Sequence, residues 1–236
     1  MAYSTLPCSP SPSTAFIPSL TPSDLSGLML TSIAQAIYDL LLKEKGNALN
    51  GMSTSFPILR IESSALPAFD IIDKQPSIIQ DTGSGTATYH NPRGCEINVM
   101  DYENFVNSLD PILQKNERRP DFIVIDKDAS KFIVNELSTG NPKSKKSDAI
   151  YQMNHLVQLL KKSMIWKSID SIPEKECVFS CREKFPATPQ ISPDTDKGIA
   201  DSFGTIHSLM SGVVKLNFQP ITKAGFALYQ TDHIQF

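Results

Sequence analysis

The chain has 236 residues, a formal net charge of −3, and a composition of 40% hydrophobic and 20% charged residues, which is typical of a globular protein with one sizeable core. The negative charge excludes a global field that would attract nucleic acid, so any such contact requires a local basic patch. Four scattered cysteines do not indicate a disulfide scaffold, and neither a spanning apolar run nor a signal peptide is recognisable, so we expect a cytoplasmic protein.

Residues 1–20 are rich in Ser, Pro and Thr and are predicted to form a flexible arm before a single domain at 21–236. A helix is predicted next, because Thr21 can cap it and Pro22 suits its first position. Lys43, Lys45 and Gly46 would end the helix. Its apolar face consists of Leu30, Ile33, Ala34, Ile37, Tyr38 and Leu41.

Residues 47–100 are predicted to be rich in short β-strands separated by Gly, Pro, Asn and Asp. The candidate strands are FPILRIES, LPAFDII, TATYH and CEINVM. Residues 102–116 then have the pattern of a helix that is interrupted or restarted at Asp110-Pro111.

The centre of the chain predicts a β-hairpin. DFIVID (121–126) and KFIVNEL (131–137) are rich in β-branched and apolar residues, and KDAS between them suits a turn. We expect a polar, Lys-rich loop at 138–146 and a second amphipathic helix after Asp148. The apolar stripe of that helix is Ala149, Met153, Leu156, Val157, Leu160 and Met164.

The last part of the chain is predicted to contain a strand at 176–182, a Pro-rich loop to about 195, and a helix near 197–210. VVKLNF and GFALYQ are the two final candidate strands. The simplest assembly of all these elements is one α/β domain, in which helices flank a central mixed β-sheet.

Two carboxylates can meet at one end of the central hairpin. Asp121 opens its first strand and Glu136 lies near the end of the second strand. Converging carboxylates suit a hard divalent cation such as Mg²⁺, which keeps several waters and can hold a substrate phosphate. Such an ion activates water and stabilises the charge that develops on a phosphodiester.

In these residues the sequence resembles the PD-(D/E)xK, or restriction-endonuclease-like, nuclease superfamily. The match consists of Pro120-Asp121, a short hairpin, Glu136-Leu137-Ser138 and a following amphipathic helix, over roughly residues 120–160. The resemblance implies a restriction-endonuclease-like core and a Mg²⁺- or Mn²⁺-dependent endonuclease of restriction, repair or anti-phage defence, with Asp121 and Glu136 as metal ligands. It also implies a nucleic-acid substrate, DNA in preference to RNA, and a possible homodimer or protein partner.

Ser138 is the main departure from the motif, because the family has a lysine in this place that positions or activates the attacking water. Lys143, Lys145 or Lys146 of the next segment are candidates for the missing charge, since some family members relocate the lysine. Gln152 matches a glutamine that some branches have near the metal.

Two basic clusters flank the proposed site, as contact with a phosphate backbone would require. The first consists of Lys115, Arg118 and Arg119, and the second consists of the three lysines of the segment after Glu136. Solvated loops explain both clusters equally well. The alternatives to an active nuclease are a nuclease fold that has lost its chemistry and acts as a binding or scaffold module, and an unrelated α/β domain.

Three weaker signals have simpler interpretations. Asp81-Thr82-Gly83 matches a short aspartic-protease triplet, but Gln80 precedes it and no second triplet follows, so a Gly-rich turn is predicted. Cys177 and Cys181 lack further ligands at zinc spacing, which favours reduced thiols. His155 could face the proposed site from the second helix, although a half-exposed helical histidine explains it as well.

Overall fold

The computed structural model describes residues 22–49, 51, 53–139, 142–182 and 212–236. The predicted N-terminal arm, the Pro-rich loop and the predicted helix near 197–210 lie outside the described residues. The described helices are α1 (Pro22–Lys45), a 3-10 helix (Gly46–Leu49), α2 (Tyr102–Asn107), α3 (Pro111–Gln114), α4 (Pro142–Lys162), α5 (Trp166–Asp170) and α6 (Gln219–Thr222).

The strands follow the predicted positions through most of the chain. Their bounds are β1 (Ile61–Ser64), β2 (Ala68–Ile71), β3 (Ile79–Gln80), β4 (Ala87–His90), β5 (Ile97–Asp101), β6 (Phe122–Asp126), β7 (Lys131–Thr139), β8 (Glu174–Arg182), β9 (Val214–Lys215), β10 (Ala227–Gln230) and β11 (His233–Gln235).

A seven-stranded sheet with the order β1-β5-β6-β7-β8-β10-β9 forms the centre of the molecule. Strands β7, β8 and β10 are parallel neighbours, whereas the other pairs of this sheet are antiparallel. The parallel pair β7 and β8 is joined through α4, as parallel strands require a crossover connection. The predicted α/β class with a mixed sheet and flanking helices is therefore confirmed.

The two faces of the large sheet are covered differently. Helices α1 and α4 lie on one face, where Ile123, Ile125 and Val134 belong to the same core as the buried faces of both helices. The opposite face carries Val124 and Ile133 and packs against a second sheet with the order β11-β4-β2-β3. Alternating side chains of the central strands thus supply two separate cores.

The β6–β7 hairpin is closed by its own aspartate. Asp126 Oδ1 accepts hydrogen bonds from the backbone N–H of Ser130 at 2.8 Å and of Lys131 at 2.9 Å. The Ser130 hydroxyl donates to the other carboxylate oxygen. Ala129 takes a positive φ of 50°, which fits a tight turn. The predicted hairpin and its KDAS turn are confirmed, and the turn fixes the register that sets the site at the other end.

The helix after the hairpin differs from its prediction at both ends. It begins at Pro142, so Lys143, Lys145 and Lys146 lie on its first turns and not in a loop. It ends at Lys162, and Met164, predicted to be buried, is 84% exposed. Pro142 accounts for the early start, because proline suits the first turn of a helix, where its missing N–H would have no partner.

The Asp81-Thr82-Gly83 triplet lies in a turn, as predicted. Asp81 is exposed, and the backbone N–H groups of Gly83 and Gly85 donate to Oδ2 of the fully buried Asp70 at 2.8 and 2.7 Å. A Cβ at Gly85 would lie 2.6 Å from the carbonyl oxygen of Ile71, so only glycine fits there. The N–H groups of these two glycines therefore hold the buried Asp70 carboxylate, which accounts for the glycine-rich turn.

We expect Asp70→Ala to lower the free energy of unfolding by about 2–4 kcal/mol, because it removes the acceptor of the Gly83 N–H, of the buried Gly85 N–H and of the Thr88 hydroxyl, which donates to Asp70 Oδ1. Urea denaturation measures the loss. Asp81→Ala is the matched control, since it removes an exposed carboxylate from the same turn, and it should change stability by less than about 0.5 kcal/mol. Equal effects of the two substitutions would contradict the role of Asp70 in holding the turn.

The described part of the chain contains no helix with both the length and the apolar character needed to cross a lipid bilayer. In the same part of the chain, Cys95, Cys177 and Cys181 form no disulfide. Cys177 is fully buried, and burial raises the pKa of its thiol, which keeps the group protonated and unreactive.

Candidate metal site at the open end of the hairpin

Asp121 and Glu136 face each other where the hairpin opens. The register pairs Phe122 with Asn135, so Asp121 and Glu136 form the next opposite pair. Their backbones are joined through side chains: the Leu137 N–H donates to Asp121 Oδ2 at 2.6 Å, and the Asp121 N–H donates to the Glu136 carboxylate. The two predicted acids therefore do converge, on the face of the sheet that the helices cover.

Glu103 is brought to the same place by helix α2. The backbone N–H groups of Tyr102 and Glu103 donate to the carbonyl oxygen of Asp121, at 2.8 and 3.1 Å. Asp101 caps the helix by accepting from the Asn104 N–H at 2.9 Å. The first turn of α2 is thus fastened directly to the start of β6, and Glu103 lies beside Asp121.

Asp73 reaches the site from the second sheet. It lies in the turn between β2 and β3, which is closed by a 3.0 Å hydrogen bond from Ile72 N–H to the Ile78 carbonyl. Arg60 holds this turn by donating to the Gln75 carbonyl at 2.6 Å. The same guanidinium donates to Asp101 Oδ2 at 3.2 Å, so one arginine links the Asp73 turn to the cap of α2.

Asp73, Glu103 and Asp121 together form an acidic cluster that could hold a metal ion. One carboxylate oxygen from each residue lies within 4.8 Å of the other two. Asp121 is buried, whereas Asp73 and Glu103 are half-buried. Three carboxylates on three separate elements at this spacing present the oxygen donors that hard divalent cations prefer.

Glu136 is not one of the three clustered residues, but it has a buried oxygen without a partner. Its Oε2 is shielded from solvent and accepts no hydrogen bond. A buried carboxylate oxygen that lacks a donor is strongly unfavourable unless a cation or proton neutralises it. This orphaned oxygen, next to the three clustered carboxylates, is the feature of the site that fits a bound cation best.

Two carboxyl groups of the site, those of Asp121 and Glu136, have raised pKa values. Burial, followed by the charges of Asp73 and Glu103, raises the pKa of Asp121 to about 7, against the opposing effect of the Leu137 N–H. Burial and then the Asp121 charge raise the pKa of Glu136 to about 9. Desolvation is the largest cause of the raised pKa in both residues, so displacement of water drives both shifts.

We expect Glu136→Gln to stabilise the metal-free protein at pH 8. The folded-state pKa of Glu136 lies above its unfolded value of 4.5, so ionisation of this group removes stability as the pH rises from about 4.5 to about 9. Glutamine abolishes this loss and should raise the free energy of unfolding by about 1–3 kcal/mol at pH 8. Urea denaturation in a chelator, at pH 5 and pH 8, measures the difference. A gain of the same size at pH 5, or in Glu96→Gln, would show that ionisation of the buried Glu136 carboxyl is not the cause.

A cavity of about 340 Å³ opens beside these acids. Of the residues predicted from the sequence, Glu136, Ser138, Lys145 and Gln152 line it. Lys143 and Lys146 do not line it, although they lie on the same helical turns as Lys145. The remaining lining residues are Asp73, Lys74, Thr86, Leu137, Thr139, Asp148, Ala149 and Phe179.

The basic cluster before the hairpin does not reach this cavity. Lys115 and Arg118 are exposed and Arg119 is half-buried, and none of the three lines the cavity. The guanidinium of Arg118 lies 5.7 Å from the ring centroid of the exposed Tyr151 on α4, a cation–π contact. These residues form a surface beside the site, and their predicted contact with nucleic acid stays a prediction.

His155 contacts Glu117 and does not line the cavity. Its Nε2 lies 2.6 Å from Oε2 of Glu117, whose other oxygen pairs with Lys45. Burial alone would raise the pKa of Glu117, but His155 and Lys45 lower it overall. These contacts support the simpler interpretation of His155 as a half-exposed histidine of the helix.

Three residues of the site were not singled out by the sequence: Asp73, Lys74 and Glu103. Glu103 carried a weak local signal, because an acid in the first turn of a helix directly after a strand lies at the edge of the sheet. Asp73 and Lys74 carried none, since their position depends on how the second sheet packs. Lys74 has a φ of 60°, which a lysine rarely adopts, and its Nζ lies 3.1 Å from Asp73 Oδ2.

Comparison with known protein families, curated proteins and solved structures finds no match to this chain. The site itself consists of three clustered carboxylates, a fourth carboxyl group with an orphaned oxygen, and a cavity beside them.

Proposed function

We propose that this protein is a metal-dependent nucleic-acid phosphodiesterase, a nuclease that acts on DNA in preference to RNA. The observation that supports it most directly is the meeting of Asp73, Glu103 and Asp121 near the unpartnered Glu136 oxygen, beside a cavity that Asp73 and Glu136 line. Four carboxyl groups this close together are costly to ionise without a cation. The resemblance of Pro120-Asp121 and Glu136 to the PD-(D/E)xK motif supports the choice of substrate.

The residues suit Mg²⁺ or Mn²⁺. Asp73, Glu103 and Asp121 would hold the ion, and Glu136 would complete its surroundings from the opposite strand. The donors of this group are all oxygens, with no histidine or cysteine among them, which is the ligand set of hard cations. A bound ion of this kind supplies Lewis acidity and an activated water for attack on a phosphodiester.

The chain's own groups would orient the substrate. Lys145 and Gln152 line the cavity from α4, one with a positive charge for a phosphate and the other with an amide that can donate and accept. Asp121 is held in place by the Leu137 N–H, so its orientation is fixed before a ligand arrives. Pre-oriented groups of this kind are what phosphoryl chemistry demands of a protein.

Incubation of the purified protein with linear and circular DNA and with RNA tests the proposal. We expect cleavage in Mg²⁺ or Mn²⁺ and none in a chelator. Glu136→Ala should lower the cleavage rate by at least about a hundredfold, because it removes one carboxylate of the site. Gel electrophoresis of end-labelled products measures the rate and shows whether the ends of the strand are needed.

Asp128→Ala provides the matched control, because Asp128 is an exposed acid in the turn at the closed end of the same hairpin. It should cleave as the wild type does. Cleavage that survives in Glu136→Ala at the wild-type rate would come from a contaminant or from another site, and would refute the proposal. Absence of cleavage under every condition would refute it as well.

A second candidate function is a binding or scaffold module with the same fold and no catalysis. Ser138 favours it, because a hydroxyl stands in the strand position where the resemblance implies a lysine. A stable complex with DNA, without cleavage in either metal, would support this function. Under the nuclease proposal the missing charge must come from elsewhere in the cavity.

A further inference from the structure

Lys74 is a lysine that lies directly against the acidic cluster. Its Nζ pairs with Asp73 Oδ2 at 3.1 Å, and its charge also interacts with Glu103 and Asp121. It lines the cavity together with Glu136 and Ser138. The Lys74 ammonium therefore lies beside the carboxylates that would bind the metal and beside the space that a substrate would enter.

The backbone of Lys74 is anchored, whereas its side chain is held by little packing. The turn that carries it is tied to the start of β1 by the Arg60 hydrogen bond to the Gln75 carbonyl. By contrast, the Lys74 side chain is 78% exposed, against 27% for Asp73, so little packing restrains the ammonium. A long flexible side chain on an anchored turn can reposition its charge over several ångströms.

A divalent cation and the ammonium compete for the same carboxylate. A metal ion bound by Asp73, Glu103 and Asp121 would repel the Lys74 ammonium and compete with it for the Asp73 carboxylate. The displaced ammonium would remain in the cavity, where a phosphate is the natural anionic partner. Metal binding and phosphate binding are then linked through one side chain.

We propose that Lys74 is an exchangeable counter-ion: it balances the acidic cluster when no metal is bound and pairs with the substrate phosphate when the metal is bound. The inference rests on the proposed function for the identity of the anion. It assigns the positive charge that Ser138 lacks to a residue of the second sheet, outside the hairpin and α4. The role requires only the permanent charge of the ammonium.

Calorimetric titration of Mn²⁺ into the wild type, Lys74→Met and Lys74→Arg tests the first half. We expect Lys74→Met to bind Mn²⁺ about 3- to 20-fold more tightly, because the competing cation is gone, and Lys74→Arg to stay near the wild type. Lys127→Met, which removes a lysine from the closed end of the hairpin, controls for net charge and should bind as the wild type does. Unchanged affinity in Lys74→Met would overturn the inference, as would the same gain in Lys127→Met.

Titration of dTMP into the protein at saturating Mn²⁺ tests the second half. Lys74→Met should bind this phosphate monoester at least about fivefold more weakly than the wild type, although it binds the metal more tightly. Equal dTMP binding, or no dTMP binding by the wild type, would overturn the inference. Both titrations measure binding and do not depend on cleavage. If Lys74→Met cleaves DNA as fast as the wild type, the inference about Lys74 is refuted and the proposed function is not. If the wild type cleaves no nucleic acid, the proposed function is refuted.

Discussion

The Asp121→Asn variant should bind Mn²⁺ at least about a hundredfold more weakly than the wild type and should cleave DNA at least about a thousandfold more slowly. Asp121 belongs to the acidic cluster with Asp73 and Glu103, and it also lies opposite Glu136 in the hairpin. It is therefore the residue that links the cluster to Glu136. Loss of a residue that only hydrogen-bonds to a metal ligand already lowers metal affinity about 10- to 100-fold, and loss of a direct ligand lowers it further. Calorimetry and end-labelled cleavage measure the two effects separately.

Asparagine keeps the shape of the residue and an oxygen that can accept from the Leu137 N–H, so the hairpin should stay intact. Asp128→Asn makes the same change at the closed end of the hairpin and should leave both readouts unaltered. Circular dichroism and the urea midpoint confirm that the variant is folded. A folded Asp121→Asn protein with wild-type affinity for Mn²⁺ would place the metal elsewhere and contradict the proposed site.

Local sequence patterns were sufficient to predict the helices and strands around the hairpin. The six residues predicted to form the apolar face of α1, from Leu30 to Leu41, are all buried. Apolar residues that repeat every 3.6 positions lie on one side of a helix, and that side packs against the sheet. The β-branched runs of β6 and β7 needed only a turn between them, and Asp126 supplies it. The positions of Asp121 at the start of the hairpin and Glu136 near its end predicted that the two acids meet there, and the register of β6 and β7 sets them opposite each other.

The rest of the site could not be predicted because it depends on contacts distant in sequence. Asp73 reaches Asp121 only because the second sheet packs on the central one and Arg60 ties its turn down. Glu103 depends on N–H bonds to the carbonyl of Asp121, far along the chain, which no local pattern records. The polarity of the Lys-rich segment predicted a loop, whereas Pro142 begins a helix there.

The affinity for Mn²⁺ should depend steeply on pH. Folding raises the pKa of Asp121 to about 7 and that of Glu136 to about 9, so both carboxyls are protonated at pH 6. A metal that uses both must displace two protons below pH 7 and one proton between pH 7 and pH 9. The apparent affinity should therefore rise about a hundredfold from pH 6 to 7 and about tenfold from pH 7 to 8.

Calorimetry in buffers of different ionisation enthalpy counts the protons that the metal releases. In Glu136→Gln the second proton is absent, so the total gain from pH 6 to pH 8 should fall from about a thousandfold to about tenfold, with release of one proton at pH 6. A gain of the same size in this variant would mean that Glu136 keeps its proton when the metal binds. The metal would then be bound by Asp73, Glu103 and Asp121 alone. The orphaned Glu136 oxygen would carry a proton that it can donate to the substrate, and it would not be a metal ligand.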